Sequence, residues 1–181
     1  MSDAQAFPDV RRAATDDLAR LEALWLALQR EQAAQDERLT LSEDAAERWR
    51  NDAPYWLSDE TQRLFVAEDE GTVVGFVSAR RTGPPPIYAA VDEVFIDELY
   101  VVPAVRSQGI GRQLVAAVTH WATHQGVARV RLQVLQANGA GQAFWKAQGA
   151  TPYAQTFTLP LETRASGDAE DARKGSAKIG F

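Results

Sequence analysis

The chain has 181 residues, 45% of them hydrophobic and 24% charged, with a formal net charge of −6 and no cysteine. That length suits one domain with a full core, and the absence of thiols excludes disulfide frameworks, thiolate metal sites and cysteine nucleophiles. The negative balance argues against nucleic-acid and anionic-membrane partners, and no apolar run approaches the ~20 residues of a bilayer span.

Residues 1–7 read as a loose tail without the basic start and apolar core of a secretory leader, so a cytoplasmic protein is expected. A short strand near Asp9–Arg12 leads to Thr15, which reads as an N-cap followed by Asp16 and Asp17. The helix after it carries Leu18, Leu21, Trp25 and Leu28 on one stripe, and the polar stretch Glu31–Thr40 is expected to end it. Ser42 caps a second predicted helix running to about Asn51, surrounded by Trp49, Tyr55, Trp56 and the acids Glu43, Asp44 and Glu47. Arg63–Glu68 and Thr72–Arg80 read as antiparallel strands around an Asp69-Glu70-Gly71 turn. Gly83-Pro84-Pro85-Pro86 is a stiff loop.

The strand Phe95–Val102 follows, closed by Pro103, and then a helix with Ile110, Leu114, Val118 and Trp121 on its apolar stripe. A strand near 128–135, a helix near 139–148 and a final strand around Tyr153–Leu159 complete the pattern. We place the domain at residues 8–160 and an irregular, polar tail at 161–181. The order βααβββαβαβ indicates an α/β fold with a mixed, largely antiparallel sheet flanked by helices.

Between the Phe95–Val102 strand and the next helix stands Arg106-Ser107-Gln108-Gly109-Ile110-Gly111. Glycines at a helix start let phosphates approach the backbone, and the unpaired N–H groups of the first turn point at them. No Lys-Ser/Thr pair follows, which excludes a P-loop, and the Rossmann glycine spacing is absent. Arg-x-x-Gly-x-Gly after Leu99-x-Val101-x-Pro103 resembles the coenzyme A motif of the GNAT superfamily of N-acetyltransferases. The likeness continues through Asn138-x-x-Gly141-x-x-Phe144-Trp145-Lys146-x-x-Gly149 and, least specifically, through Val10–Leu18.

This resemblance implies a sheet in which the motif strand and the next strand splay apart around a pantetheine arm, with acetyl-CoA as co-substrate and no metal. It gives the pyrophosphate to backbone N–H groups from Gln108 through Gln113, Gly109, Ile110 and Gly111 among them, places Ser107 in the same cofactor-binding loop, and has Arg106 and Arg112 add charge. Backbone groups of Leu99, Tyr100, Val101 and Val102 would meet the pantetheine, and an N–H of Tyr100 or Val101 would polarise the thioester carbonyl. Asn138, a good helix N-cap, would also contact the arm, with Phe144 and Trp145 beside it. Asp97 and Glu98 alternate in the strand, so at most one lines the cleft; Glu98 is the expected general base and Asp97 the alternative.

Trp145 departs from the Tyr that many relatives place there as acid to the leaving thiolate. Tyr100 or a water would have to supply that proton, or the thiolate leaves without one. The same departure supports the alternative, a non-catalytic acyl-CoA-binding module. Trp49 and Trp56, with the loop Pro84–Ala90, are the expected acceptor wall, which suits a primary amine on a small molecule or a protein. His120 and His124, four apart, read as a polar helix face rather than a metal site. A homodimer is common in the family and is an expectation here.

Overall fold

Five strands form the sheet of the computed structural model, which describes residues 8–83 and 92–161. The elements of the first unit are β1 (Asp9–Arg12), α1 (Leu18–Gln35), α2 (Ala45–Ser58), β2 (Gln62–Asp69), β3 (Thr72–Thr82), β4 (Glu93–Val101), α3 (Ile110–His124), β5 (Arg129–Leu132) and α4 (Gly139–Ala147). Spatial order is β1-β2-β3-β4-β5, antiparallel through β4, with β4 and β5 parallel. The parallel pair requires a crossover, and α3 supplies it.

Alternation along β2 and β3 sorts side chains between two cores. Leu64, Val66, Val73 and Phe76 meet Leu21, Leu24 and Leu28 of α1 and Trp49 and Ala53 of α2 on one face. Ala67, Val77 and Ala79 meet Ile110, Leu114, Val118 and Trp121 of α3 on the other. The sheet therefore lies between α1/α2 and α3, and β4 runs through the middle with a core on each side.

Several elements differ from the sequence reading. Thr15 does not cap a helix: it opens the 3-10 turn Thr15–Asp17, whose N-cap is Ala14, and Asp17 precedes α1. The Asp17 carboxylate reaches back to accept the Ala14 N–H at 2.7 Å and the two Arg11 guanidinium nitrogens at 2.7 and 2.8 Å. The first helix does not stop at Glu31 but runs to Gln35, because Glu, Gln and Ala are good helix formers whatever their polarity. The second helix starts at Ala45 after Asp44 and passes Pro54 to Ser58; burial of Trp49 and Ala53 and packing of Trp56 hold it past the proline. The loop Pro84–Ala90 lies outside the described residues, apart from the exposed Gly83 before it.

The chain divides into two units, residues 1–149 and 150–181. In the second, the expected strand Tyr153–Leu159 is neither strand nor helix, and Tyr153, Phe157, Leu159 and Leu161 are exposed. Among the described residues no helix is long and apolar enough to cross a membrane.

Candidate active site

The site begins where β4 and β5 part. Their pairing covers Glu93↔Arg129 to Ile96↔Leu132 and goes no further, while β4 continues to Val101. The paired end is clamped by Glu93, which is buried and bonded to Arg129 and to Arg131 (3.1 Å). Burial pushes the Glu93 carboxyl up, but the two guanidinium groups outweigh it and hold the carboxyl below its ordinary range. Just past the clamp the β3 register passes from Ala79↔Ile96 to Ser78↔Glu98, so Asp97 is an extra residue without an opposite. Such a bulge bends its strand.

The two acids differ in their surroundings: Asp97 is exposed and paired with Arg80 (2.9 Å), whereas Glu98 is part-buried and bonded to Trp25 of α1. Backbone parity then decides which groups face the opening. Val102 donates its N–H to Val74 at 2.9 Å, so it and, two residues back, Tyr100 pair towards β3. Leu99 and Val101 turn their N–H and C=O groups to the side that β5 has vacated. Val102 and Tyr100 thus turn their backbone groups to β3, and Leu99 and Val101 present theirs on the other edge.

Gly109 (φ 89°) and Ser107 (φ 65°) are both left-handed, a backbone that forms anion-binding concavities. The Gln113 N–H bonds the Gly109 carbonyl, so the N–H groups of Gly109, Ile110, Gly111 and Arg112 have no helical acceptor. A Cβ on Gly111 would lie 3.2 Å from the Phe144 ring, so this glycine lets α4 pack on the first turn of α3. Asn138 caps α4 by accepting the Gly141 N–H at 2.8 Å, and Trp145 packs partly buried on the α3 core, 5.1 Å from Phe144. Arg112 has no hydrogen-bond or ion-pair partner among the described residues. Arg106, by contrast, is spent: Nε donates to the Val101 carbonyl at 2.8 Å and Nη2 to both Glu31 oxygens at 2.7 and 2.8 Å.

Across β4 lies a cavity of about 410 Å³ lined by Trp25, Arg48, Trp49, Asp52, Trp56 and Glu98, with Thr40, Leu41, Ser42 and Ala45. Its indoles pack edge to face and tilted, Trp49 lying 6.0 Å from both Trp25 and Trp56. Glu98 Oε1 accepts the Trp25 Nε1–H at 2.7 Å and Gln29 Nε2 at 3.1 Å, and Oε2 accepts the Ser78 hydroxyl at 3.3 Å. Burial pushes the Glu98 carboxyl above its ordinary range although these bonds pull it down.

The structure thus brings Trp49, Trp56 and Glu98 into one cavity. Of the acids expected around α2, Glu43 and Glu47 do not line it, Asp44 is bonded to Ser42 and Arg48, and Tyr55 is exposed; Asp52 takes their place. Tyr100 is buried, its hydroxyl donates to Glu31 at 3.2 Å, and burial raises its pKa. His120 and His124 meet on an exposed helix face, Nε2 to Nε2 3.1 Å, and no cluster of three or more metal-ligating side chains occurs among the described residues.

Sequence reasoning missed Trp25, Gln29, Glu31, Ser78 and Asp52. Ser78 carried a signal, a hydroxyl within the apolar run of β3. Glu31 was hidden by ending the helix too early.

An open parallel pair, a glycine turn at the start of α3 and a carboxylate in a tryptophan-walled cavity are the features set beside known proteins. The profile described as the Acetyltransferase (GNAT) family matches residues 22–150, and the chain belongs to that family. An aminoglycoside N(6')-acetyltransferase type 1 of Salmonella typhimurium is 29% identical over 86 residues, 47% of this chain and 59% of the relative. The alignment therefore spans little more than half of that relative's length. Among solved structures, a tetramutant of the BH1408 protein from Bacillus halodurans superposes with a TM-score of 0.75 at 21% identity, covering 84% of this chain and 99% of that one. The aminoglycoside N-acetyltransferase AAC(6')-Iy in complex with CoA gives 0.71 at 18% identity, covering 90% and 100%. At these identities the two structures speak for the fold.

Proposed function

We propose that the chain is an acetyl-CoA-dependent N-acetyltransferase whose acceptor amine enters the tryptophan-walled cavity. The observation that carries this reading is the placement of Glu98: its carboxylate lies in that cavity, on the strand whose next residues, Leu99 to Val101, carry the unpaired edge. The residues present fit the cofactor. The spare N–H groups of Gly109 to Arg112 and the Arg112 guanidinium suit a pyrophosphate, and the backbone of Leu99 with the N–H of Val101, whose carbonyl Arg106 holds, suits the amides of the pantetheine arm.

Acetyl-CoA supplies an acetyl thioester, whose C–S bond breaks as the N–C bond of the amide forms. Glu98 takes the proton that the ammonium must lose, directly or through one water. An N–H of Leu99 or Val101 is the donor for negative charge developing on the carbonyl oxygen. The indoles of Trp25, Trp49 and Trp56 hold the amine's carbon skeleton and favour its cationic form on arrival, while Asp52 adds negative charge to the cavity. No side chain is assigned as acid: Trp145 has no acidic proton, the Tyr100 proton is engaged by Glu31, and a thiol of pKa ~8.5 leaves as thiolate.

The test is thermal unfolding with and without acetyl-CoA, with Gly109→Glu as control. Ligand at 100 times its Kd adds ~2.7 kcal/mol, a rise of about 5–10 °C at this size. An amine panel follows, read by thiol-reactive dye, to which a protein without cysteine contributes no background. A shift lost in the control, with CoA released for some amine, is expected. A shift without turnover on any amine would favour the non-catalytic acyl-CoA-binding module instead, and no shift in the folded parent would overturn both readings.

A further inference from the structure

Arginine at the mouth of an anion cradle is ordinarily assigned to the phosphate, yet the Arg106 guanidinium is turned the other way. It lies 5.4 Å from the centre of the Tyr100 ring, and its Nε and Nη2 are committed to the Val101 carbonyl and to Glu31. Glu31 in turn accepts from the Tyr100 hydroxyl, so one carboxylate on α1 gathers two groups belonging to β4 and the loop after it. The positive charge of Arg106 is matched locally by Glu31, which leaves it little field to offer an anion at the start of α3. Arg112 has no such partner among the described residues and is the better phosphate ligand.

What the pair does hold is the end of β4. Val101 is the last residue of the strand, beyond the point where β5 stops, so its carbonyl has no neighbouring strand to fix it. Arg106 Nε is the group that does so, and Glu31 fixes Arg106. Two residues before Glu31 on the same helix, Gln29 bonds Glu98, so α1 seats both the acceptor carboxylate and the donor edge.

We infer that Glu31 is a positioning residue for the cofactor edge of β4, acting through Arg106, and that Arg106 braces Val101 instead of binding the pyrophosphate. This rests on the acetyl-CoA reading above. The test uses the full chain with Glu31→Gln, Arg106→Gln and the double variant. Two probes are titrated by calorimetry: acetyl-CoA, which needs cradle and edge, and ADP, which carries a pyrophosphate but no pantetheine. Each single variant is expected to weaken acetyl-CoA on the order of tenfold, as loss of a positioning group does, with ADP affinity unchanged within about twofold. The double variant should be no weaker than the weaker single, because both remove one brace.

Equal weakening of ADP and acetyl-CoA by Arg106→Gln would make Arg106 a phosphate ligand and overturn the inference. So would an unchanged or tighter acetyl-CoA complex in Glu31→Gln. Amide hydrogen exchange over residues 99–106 of the ligand-free variants supplies an arm independent of any cofactor. Faster exchange in both singles supports the brace, and unchanged exchange refutes it. If the parent binds no acetyl-CoA, the functional reading falls while this exchange arm still decides the brace.

Discussion

Glu98→Gln separates the chemistry of the carboxylate from its place in the fold. Glutamine fills the same volume. Its oxygen still accepts from Trp25 and Gln29, as Oε1 does now at 2.7 and 3.1 Å, and its amide nitrogen donates to Ser78 once the hydroxyl turns to accept. Every present partner of the carboxylate keeps a hydrogen bond, so the fold has little to lose. It has something to gain, because burial disfavours the charged form of Glu98 and raises its pKa. A carboxyl raised in the folded state gives its full stability below the unfolded value, and that is lost as pH rises through the raised folded value. The melting temperature of the variant relative to the parent should therefore climb from acid to neutral pH. Activity should move the other way: removal of a general base costs ~10²–10⁴, and a loss of ~10²–10³ in kcat/KM corresponds to ~2.7–4 kcal/mol of transition-state stabilisation. CoA release with the best amine of the panel, measured beside thermal unfolding across pH, reads both. A variant within about threefold of the parent at every pH, or one that unfolds several degrees earlier at neutral pH, would refute the reasoning.

Three other perturbations follow from the same geometry. Trp25→Phe removes the N–H that holds the Glu98 carboxylate down, so the acid limb of the kcat/KM profile should move to higher pH; a limb that stays in place counts against Glu98 as base. A Cβ on Gly75 would lie 2.8 Å from the Tyr100 carbonyl oxygen and 3.2 Å from Val101 Cγ2, backbone and strand that cannot yield. Gly75→Ala should cost about 1–3 kcal/mol, ~2–12 °C, and weaken acetyl-CoA as well; wild-type melting and binding would refute that. Asp17→Asn breaks the pair with Arg11, whose hydrogen bonds hold the Asp17 carboxyl below its ordinary range. The stability Asp17 gives is present above the unfolded carboxylate value and lost as pH falls towards the folded one. Because Arg11 is part exposed, the screened cost is about 1–2 kcal/mol; urea midpoints of parent and variant should differ at pH 7 and converge in acid.

The sequence was most readable where local and tertiary demands coincide. Ile110, Leu114, Val118 and Trp121 were assigned to a core by period alone, and all are buried. Gly109 was legible as the start of α3, where it adopts a left-handed backbone. Legibility failed where a residue's role depends on what crosses it. Nothing local distinguishes Glu31 from the other charges of α1, since its meaning comes from Tyr100 and Arg106, far along the chain. The neighbours of Arg106 in sequence suggested a phosphate role, whereas its hydrogen-bond partners in space lie on α1 and β4. Alternation would send Asp97 and Glu98 to opposite faces, but the bulge at Asp97 breaks that alternation, and a surplus residue is defined only against the partner strand.

That surplus residue sets the boundary between a scaffold and a machine. Asp97 faces water and joins neither core, and the faces of Ile96 and Glu98 already match those of Ala79 and Ser78 across the ladder. Deleting Asp97 would leave a strand with every side chain on its present face and no reason to bend away from its neighbour. Such a protein is expected to melt higher than its parent and to show no shift with acetyl-CoA. A deletion variant that still responds to the cofactor would mean the slot owes its width to something else. If the expectation holds, a single codon separates an inert three-layer protein from one with room for a second substrate, and a lineage could open or shut the slot in one step.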